Sequence, residues 1–356
     1  MFNSKTAFII GAGASAEVNM PVGNILKADI ARRLHFSNMP PDEDVGDRFI
    51  WDAIQRQVKS EDMLGSTIMD YRNAATQIME GMQTASSIDT YIDTHKDNNK
   101  IALCGKLAII RSILKAERSS SLFYDINQTP NLRYSKIENT WYMNFFRILI
   151  SGSEKGKERK LFENLSFIIF NYDRCFEHFL FAALMNHFQM PPVEAMKLVE
   201  SIKIFHPYGP VGPKPFPADI AGDGGVPFGS PDRGNILELS ENIKTFTEQL
   251  TDHTQLANIH GVIDQADKIV FLGFAFHDQN LELLQSERQL QTKKIFASAY
   301  GISDSDCRFL APKICKAVGI RYTQDIQNFL STESFQLLNG RKCTNIFTEF
   351  GRSMAS

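Results

Sequence analysis

Thr6-Ala-Phe-Ile-Ile-Gly-Ala-Gly-Ala-Ser15 decides the fold. Its first five residues carry no charge and do not alternate, as expected of a strand covered on both faces in a parallel sheet. The glycine turn that follows leads through Pro21 to a helical stretch, Asn24 to Leu34. The same grammar recurs further along. Leu165–Phe170 ends at Asn171, Ile202–Phe205 ends at His206, and Lys268–Leu272 ends at Gly273. Lys294–Ala299 and Thr344–Phe347 are read as later strands, and Cys175–His187 and Leu250–Ala266 as helices. Short apolar runs alternating with helices predict an α/β fold, a Rossmann-like doubly wound parallel sheet.

Residues 40–160 break this pattern. Ile101, Leu103, Leu107, Ile110, Ile113 and Leu114 recur at helical spacing, so the region reads as a helical subdomain inserted between the first two strands. One domain over 1–356 is expected, with its sheet core in about 1–39 and 161–350. Pro207–Gly234 holds seven of the 14 prolines and seven of the 22 glycines. So long a connection inside a domain is usually a lid or a binding loop.

Composition excludes several classes. The chain is 43% apolar and 22% charged with a formal charge of −3, so no basic field points to nucleic acid. The one basic run, Lys155–Lys160, reads as a solvated turn. Five scattered cysteines form no Cys-x-x-Cys pair, which argues against a four-cysteine zinc site and against a disulfide framework. Asn3-Ser4-Lys5 leads directly into the first strand, and no apolar run reaches membrane-spanning length. A cytoplasmic protein without a leader, a membrane span or a metal is the expectation.

In open parallel sheets ligands bind beyond the carboxyl ends of the strands. Gly11–Ser15, Asn171–Asp173, His206 and Gly273–Asp278 would meet there. Gly11 and Gly13 allow close approach to a phosphate, although the full Gly-x-Gly-x-x-Gly fingerprint is missing because residue 16 is Ala. A plain tight turn is the alternative. Asn171 beside Asp173 suits a ribose hydroxyl and an amide, or else caps the next helix. His206 suits a general base, or else a structural histidine. His260 and His277 are rivals, but the apolar spacing around His260 puts it on a packing face.

Taken together, these segments resemble the sirtuin family. Gly11-Ala-Gly-Ala-Ser15 with Pro21 is similar to the sirtuin cofactor loop, and Asn171-Tyr-Asp173 with Glu177 is similar to its Asn-x-Asp motif. Phe205-His206-Pro-Tyr-Gly209 resembles the strand that carries the catalytic histidine. Phe271–Asp278 resembles the family's late strand, and Ser87-Ile-Asp-Thr-Tyr91 a segment common in the helical insert of the bacterial branch. The likeness spans about residues 5–300. Two departures separate the chain from the deacetylases: the paired-cysteine zinc module is missing, and Val22-Gly-Asn24 follows Pro21 where they have Asp-Phe-Arg.

The resemblance implies a zinc-free NAD hydrolase of bacterial antiphage defence that releases nicotinamide and ADP-ribose. Gly11, Ala12, Gly13, Ser15, Pro21, Gly273 and Phe274 would line the NAD site. Asp173 would hold the carboxamide, Asn171 would orient ribose or water, and His206 would be the base. A homo-oligomer is implied, with a hexameric DNA-translocating ATPase or another phage-sensing protein as partner. The helical insert and the Pro207–Gly234 loop would be gates. A non-catalytic sensor of NAD or ADP-ribose and an NAD-dependent protein deacylase are the other readings.

Overall fold

A computed structural model describes residues 2–36, 46–61, 67–125, 131–222, 225–285, 293–320, 330 and 332–356. Along the chain run β1 (Thr6–Ile10), α1 (Ala12–Ser15), α2 (Asn24–Arg33), α3 (Arg48–Ser60), α4 (Ile68–Gly81), α5 (Ile88–Thr94), α6 (Asn99–Ser119) and α7 (Trp141–Leu149). Next come β2 (Leu165–Ile169), α8 (Cys175–Phe188), α9 (Pro192–Glu200), β3 (Lys203–Phe205), α10 (Ala218–Ala221), α11 (Ile236–Ser240), α12 (Phe246–Leu250) and α13 (His253–Gln265). The chain continues through β4 (Lys268–Leu272), α14 (Asp278–Leu284), β5 (Lys294–Ala299), α15 (Asp304–Ala317), β6 (Phe335–Asn339) and α16 (Cys343–Ala355).

The six strands form one all-parallel sheet in the order β3-β2-β1-β4-β5-β6. This is the Rossmann-like doubly wound arrangement expected from the strand runs. β1 lies between β2 and β4, with Thr6 in register with Leu165 on one side and Lys268 on the other. All five residues of β1 are buried, and so are all five of β4, which is why neither alternates. Winding outward from β1 in both directions puts the topological switch between β1 and β4.

Register also builds the core. Phe8 sits opposite Phe167, and their rings stack 5.3 Å apart. Phe145 from α7 packs edge-on against both, at 5.5 and 5.8 Å, and Phe347 from α16 stacks on Phe8 at 6.3 Å. Between β1 and β2 every regular element among the described residues is helical. α6 is the longest, capped at its start by the Asn98 side chain and buried along most of its length against α2, α4 and α11.

One strand reading is corrected. Thr344–Phe347 belongs to α16, and the sixth strand is Phe335–Asn339. Cys343, Ile346, Phe347 and Met354 recur at helical spacing and make the buried face. The four residues taken alone are too short for this period to show against a β-rich composition. No helix among the described residues is long and apolar enough to cross a membrane.

Candidate functional site

β1 and β4 end side by side, and their turns are locked together. Gly11 N–H donates to the Leu272 carbonyl at 2.9 Å and Gly13 N–H to the Gly273 carbonyl at 2.9 Å. A Cβ on Gly11 would stand 2.5 Å from the Gly273 oxygen, and one on Gly13 would stand 2.9 Å from Gly273 Cα. Gly273 takes φ +57° and donates its own N–H to Ser298 Oγ at 2.9 Å. The three glycines therefore exist so that two backbones can touch. Both glycine amides of the first turn are spent on the protein itself rather than pointed at a ligand.

From that junction a polar chain runs to β3. Ser15 Oγ accepts from Asn171 Nδ2 at 2.9 Å and donates to Asp173 Oδ1 at 3.1 Å. Because β3 pairs with β2, His206 arrives beside the end of β2, with Nδ1 3.2 Å from the Asn171 carbonyl oxygen. Its Nε2 lies 2.6 Å from Glu177 Oε1, in the first turn of α8. Gln255 of α13 donates Nε2 to the His206 carbonyl at 3.1 Å. Ser15, Asn171, Asp173, His206 and Glu177, from four places in the chain, thus form one connected group.

Three members of the group are buried, and Glu177 and His206 are partly so. Ser15, Asn171 and Asp173 are 2%, 5% and 6% exposed. Burial raises the Asp173 pKa, against hydrogen bonds from Cys175 and Ser15 that lower it. Asp173 Oδ1 also accepts the Cys175 N–H at 3.1 Å, which ties the end of β2 to the first residue of α8. Burial disfavours protonation of His206, but the charge and hydrogen bond of Glu177, helped by the Asn171 carbonyl, raise its pKa. That pair stabilises the fold below the ordinary histidine value of 6.5 and loses its contribution as pH rises through the raised one.

Other sequence candidates sit differently. Phe274 is 3% exposed, its ring 5.0 Å from Phe170 and 5.3 Å from Phe276, so it packs as a wall. Ala12 is exposed at the start of α1, and Pro21 is half-exposed in the turn before α2. His260 lies on α13 and meets the Leu283 carbonyl at 3.1 Å, a packing role. His277 is an exposed residue at the start of α14. Asp278 pairs with Lys313 at 2.6 Å.

Several neighbours lie outside the strand-end motifs. Tyr142 of α7 places its hydroxyl 3.4 Å from Ser15 Oγ, and Trp141 Nε1 donates to the Ala14 carbonyl at 2.9 Å. Asp89, inside the Ser87–Tyr91 segment, accepts from the Tyr172 hydroxyl. Glu117 of α6 forms a buried ion pair with Arg174 at 2.5 Å and also accepts the Arg174 N–H at 3.1 Å. The same Glu117 accepts the Gly229 N–H at 3.1 Å, while Arg174 donates to the Val226 carbonyl. Arg111, paired with Asp47 at 3.1 Å, donates to the Pro231 carbonyl. The described part of the Pro/Gly-rich segment is therefore pinned by two buried guanidinium groups, with Val211, Phe216, Val226 and Phe228 in the core.

The five cysteines are free and buried, and burial alone pushes the Cys104 thiol up to about 12. Among the described residues no group of three or more His, Cys, Asp or Glu could hold a metal ion. No family model, no curated protein and no solved structure matches the chain.

Proposed function

We propose that this chain hydrolyses NAD at the nicotinamide–ribose bond, releasing nicotinamide and ADP-ribose. The observation that carries the reading is a set of three buried acceptors without partners around His206: Asn171 Oδ1, Glu177 Oε2 and Gln255 Oε1. Leaving such atoms unpaired costs about 1–3 kcal/mol each. Acceptors call for a ligand that donates, such as ribose hydroxyls, a carboxamide NH₂ or the attacking water. The cleavage builds positive charge on the ribose, and fixed oxygens in a dry site stabilise that charge. The site stands at the strand ends of a doubly wound sheet, where ligands of this fold class bind.

In this proposal Asn171 orients the ribose or the water, the His206–Glu177 pair handles the proton, and Ser15 holds Asn171 in place. Depletion of NAD during phage infection is the proposed role. Assembly into an oligomer, or a partner such as a hexameric DNA-translocating ATPase, would gate the activity through α6. Glu117 supports such a route, because it joins the helical insert to Arg174, next to Asn171–Asp173. A second reading, a non-catalytic sensor of NAD or ADP-ribose, draws support from the same closed site, whose side chains already engage one another.

The test is nicotinamide release from NAD by the full chain, alone and with infected-cell lysate, with an acetylated peptide as a parallel substrate. Asn171→Ala and His206→Ala are each expected to lower release at least about 100-fold. Wild-type turnover in both variants would remove these residues from the chemistry. Tight NAD binding with no nicotinamide formed would favour the sensor.

A further inference from the structure

His206 faces two acceptors: Nδ1 meets the Asn171 carbonyl oxygen at 3.2 Å and Nε2 meets Glu177 Oε1 at 2.6 Å. A neutral imidazole carries one N–H and can satisfy only one of them. Both are satisfied when the ring holds two protons and Glu177 is ionised. A ring in that state has no lone pair to offer a substrate. The atom that does is Glu177 Oε2, buried and without a partner. The other two unpartnered acceptors belong to residues that also touch His206: Asn171 bonds the ring through its backbone carbonyl, and Gln255 bonds the His206 carbonyl through Nε2.

We propose that Glu177 is the catalytic carboxylate of this site, with Oε2 taking the proton of the attacking water, and that His206 is a positioning residue holding it as an imidazolium. This rests on the NAD-hydrolase reading. In the step, the water oxygen bonds to the ribosyl carbon while the carbon–nitrogen bond to nicotinamide breaks. The electron pair of that bond goes to the pyridinium nitrogen, so nicotinamide leaves neutral. The water proton goes to Oε2 and then to solvent. A cation-like ribose needs little help from the base, and the negative oxygen also stabilises its charge.

The charged groups that face His206 are Glu177 on α8 and Asp173 at the end of β2, while α13 brings the neutral amide of Gln255. Both carboxylates favour the protonated ring, in line with its raised pKa. The two assignments differ in sign. With Glu177 as acceptor, nicotinamide release holds on the acid side of that value and falls as pH rises through it. With His206 as base, release rises through the same range.

The experiment combines this pH profile with ¹⁵N NMR of the imidazoles of the full chain and with kcat and KM for two variants. Both His206 nitrogens are expected to be protonated at pH 7, and Glu177→Gln is expected to return the ring to ordinary titration. Glu177→Gln should lower kcat at least about 100-fold, with KM little changed. His206→Gln should lower it less. A neutral ring at pH 7 overturns the proposal whatever the activity, and so does a larger loss in His206→Gln than in Glu177→Gln. Failure of the underlying reading looks different: the ring stays doubly protonated, yet the wild type frees no nicotinamide under any condition. That outcome removes the hydrolase and the catalytic role of Glu177 together.

Discussion

Gly273→Ala is expected to destabilise the protein on the order of 3–5 kcal/mol, near the upper end of single substitutions. Two penalties add. The residue has φ +57°, which costs a residue with a Cβ roughly 1–2 kcal/mol. The new methyl would also collide with the Ala14 nitrogen and the Gly13 backbone. Neither neighbour can retreat, because Gly13 N–H is bonded to the Gly273 carbonyl and the Trp141 indole holds the Ala14 carbonyl. Gly11→Ala separates the penalties. Gly11 has φ −109°, so its alanine meets crowding without strain and should cost less. Thermal unfolding of the two variants checks the order. A Gly273→Ala protein that melts within about 1 °C of wild type would refute the close approach of β1 and β4.

Arg174→Met should be almost as severe. It leaves the Glu117 carboxylate, 0% exposed, without its cation and the Val226 carbonyl without its donor. Removing one partner of a buried pair costs about 3–5 kcal/mol, mostly as desolvation of the charge left behind. The double variant Glu117→Gln/Arg174→Met removes that charge and should lose clearly less than the sum of the two single changes. Chemical denaturation measures all three. Strict additivity would mean that the pair does not act as a unit, and that α6 is not coupled to the Asn171–Asp173 turn through it.

The sheet was legible because buried parallel strands leave a plain signature. Thr6–Ile10, Leu165–Phe170 and Lys268–Leu272 are mostly apolar and stop at Gly or Asn, so both the strands and the candidate site at their ends can be read. β6 escaped because Phe335-Gln-Leu-Leu-Asn339 lies on the sheet edge, half-buried, and lacks that signature. At the site, the meeting of Asn171 with His206 follows from the β2–β3 pairing, which the strand-end rule anticipates. Two things were out of reach. Which glycine N–H groups are free depends on what packs over the turn, and Gly11 and Gly13 turn out to serve Leu272 and Gly273. Glu117 and Tyr142 reach the site from helices distant in sequence, where a single polar residue on a packed face has no local pattern to announce it.

The place of β1 at the centre of the sheet also dictates a timetable. Its two neighbours are the strands that begin at Leu165 and Lys268. A ribosome adding roughly 5–20 residues per second must run for about 8–30 seconds to reach the first of them and about 13–50 seconds to reach the second. Throughout that interval Thr6–Ile10, a charge-free segment rich in strand-forming residues, has both of its hydrogen-bonding edges open. The helices made in between, and the chaperones that meet a nascent chain, are what stand between this segment and its counterpart on the next polysome-bound copy. Slower translation or crowded overexpression lengthens that exposure and is expected to lower the yield of folded protein.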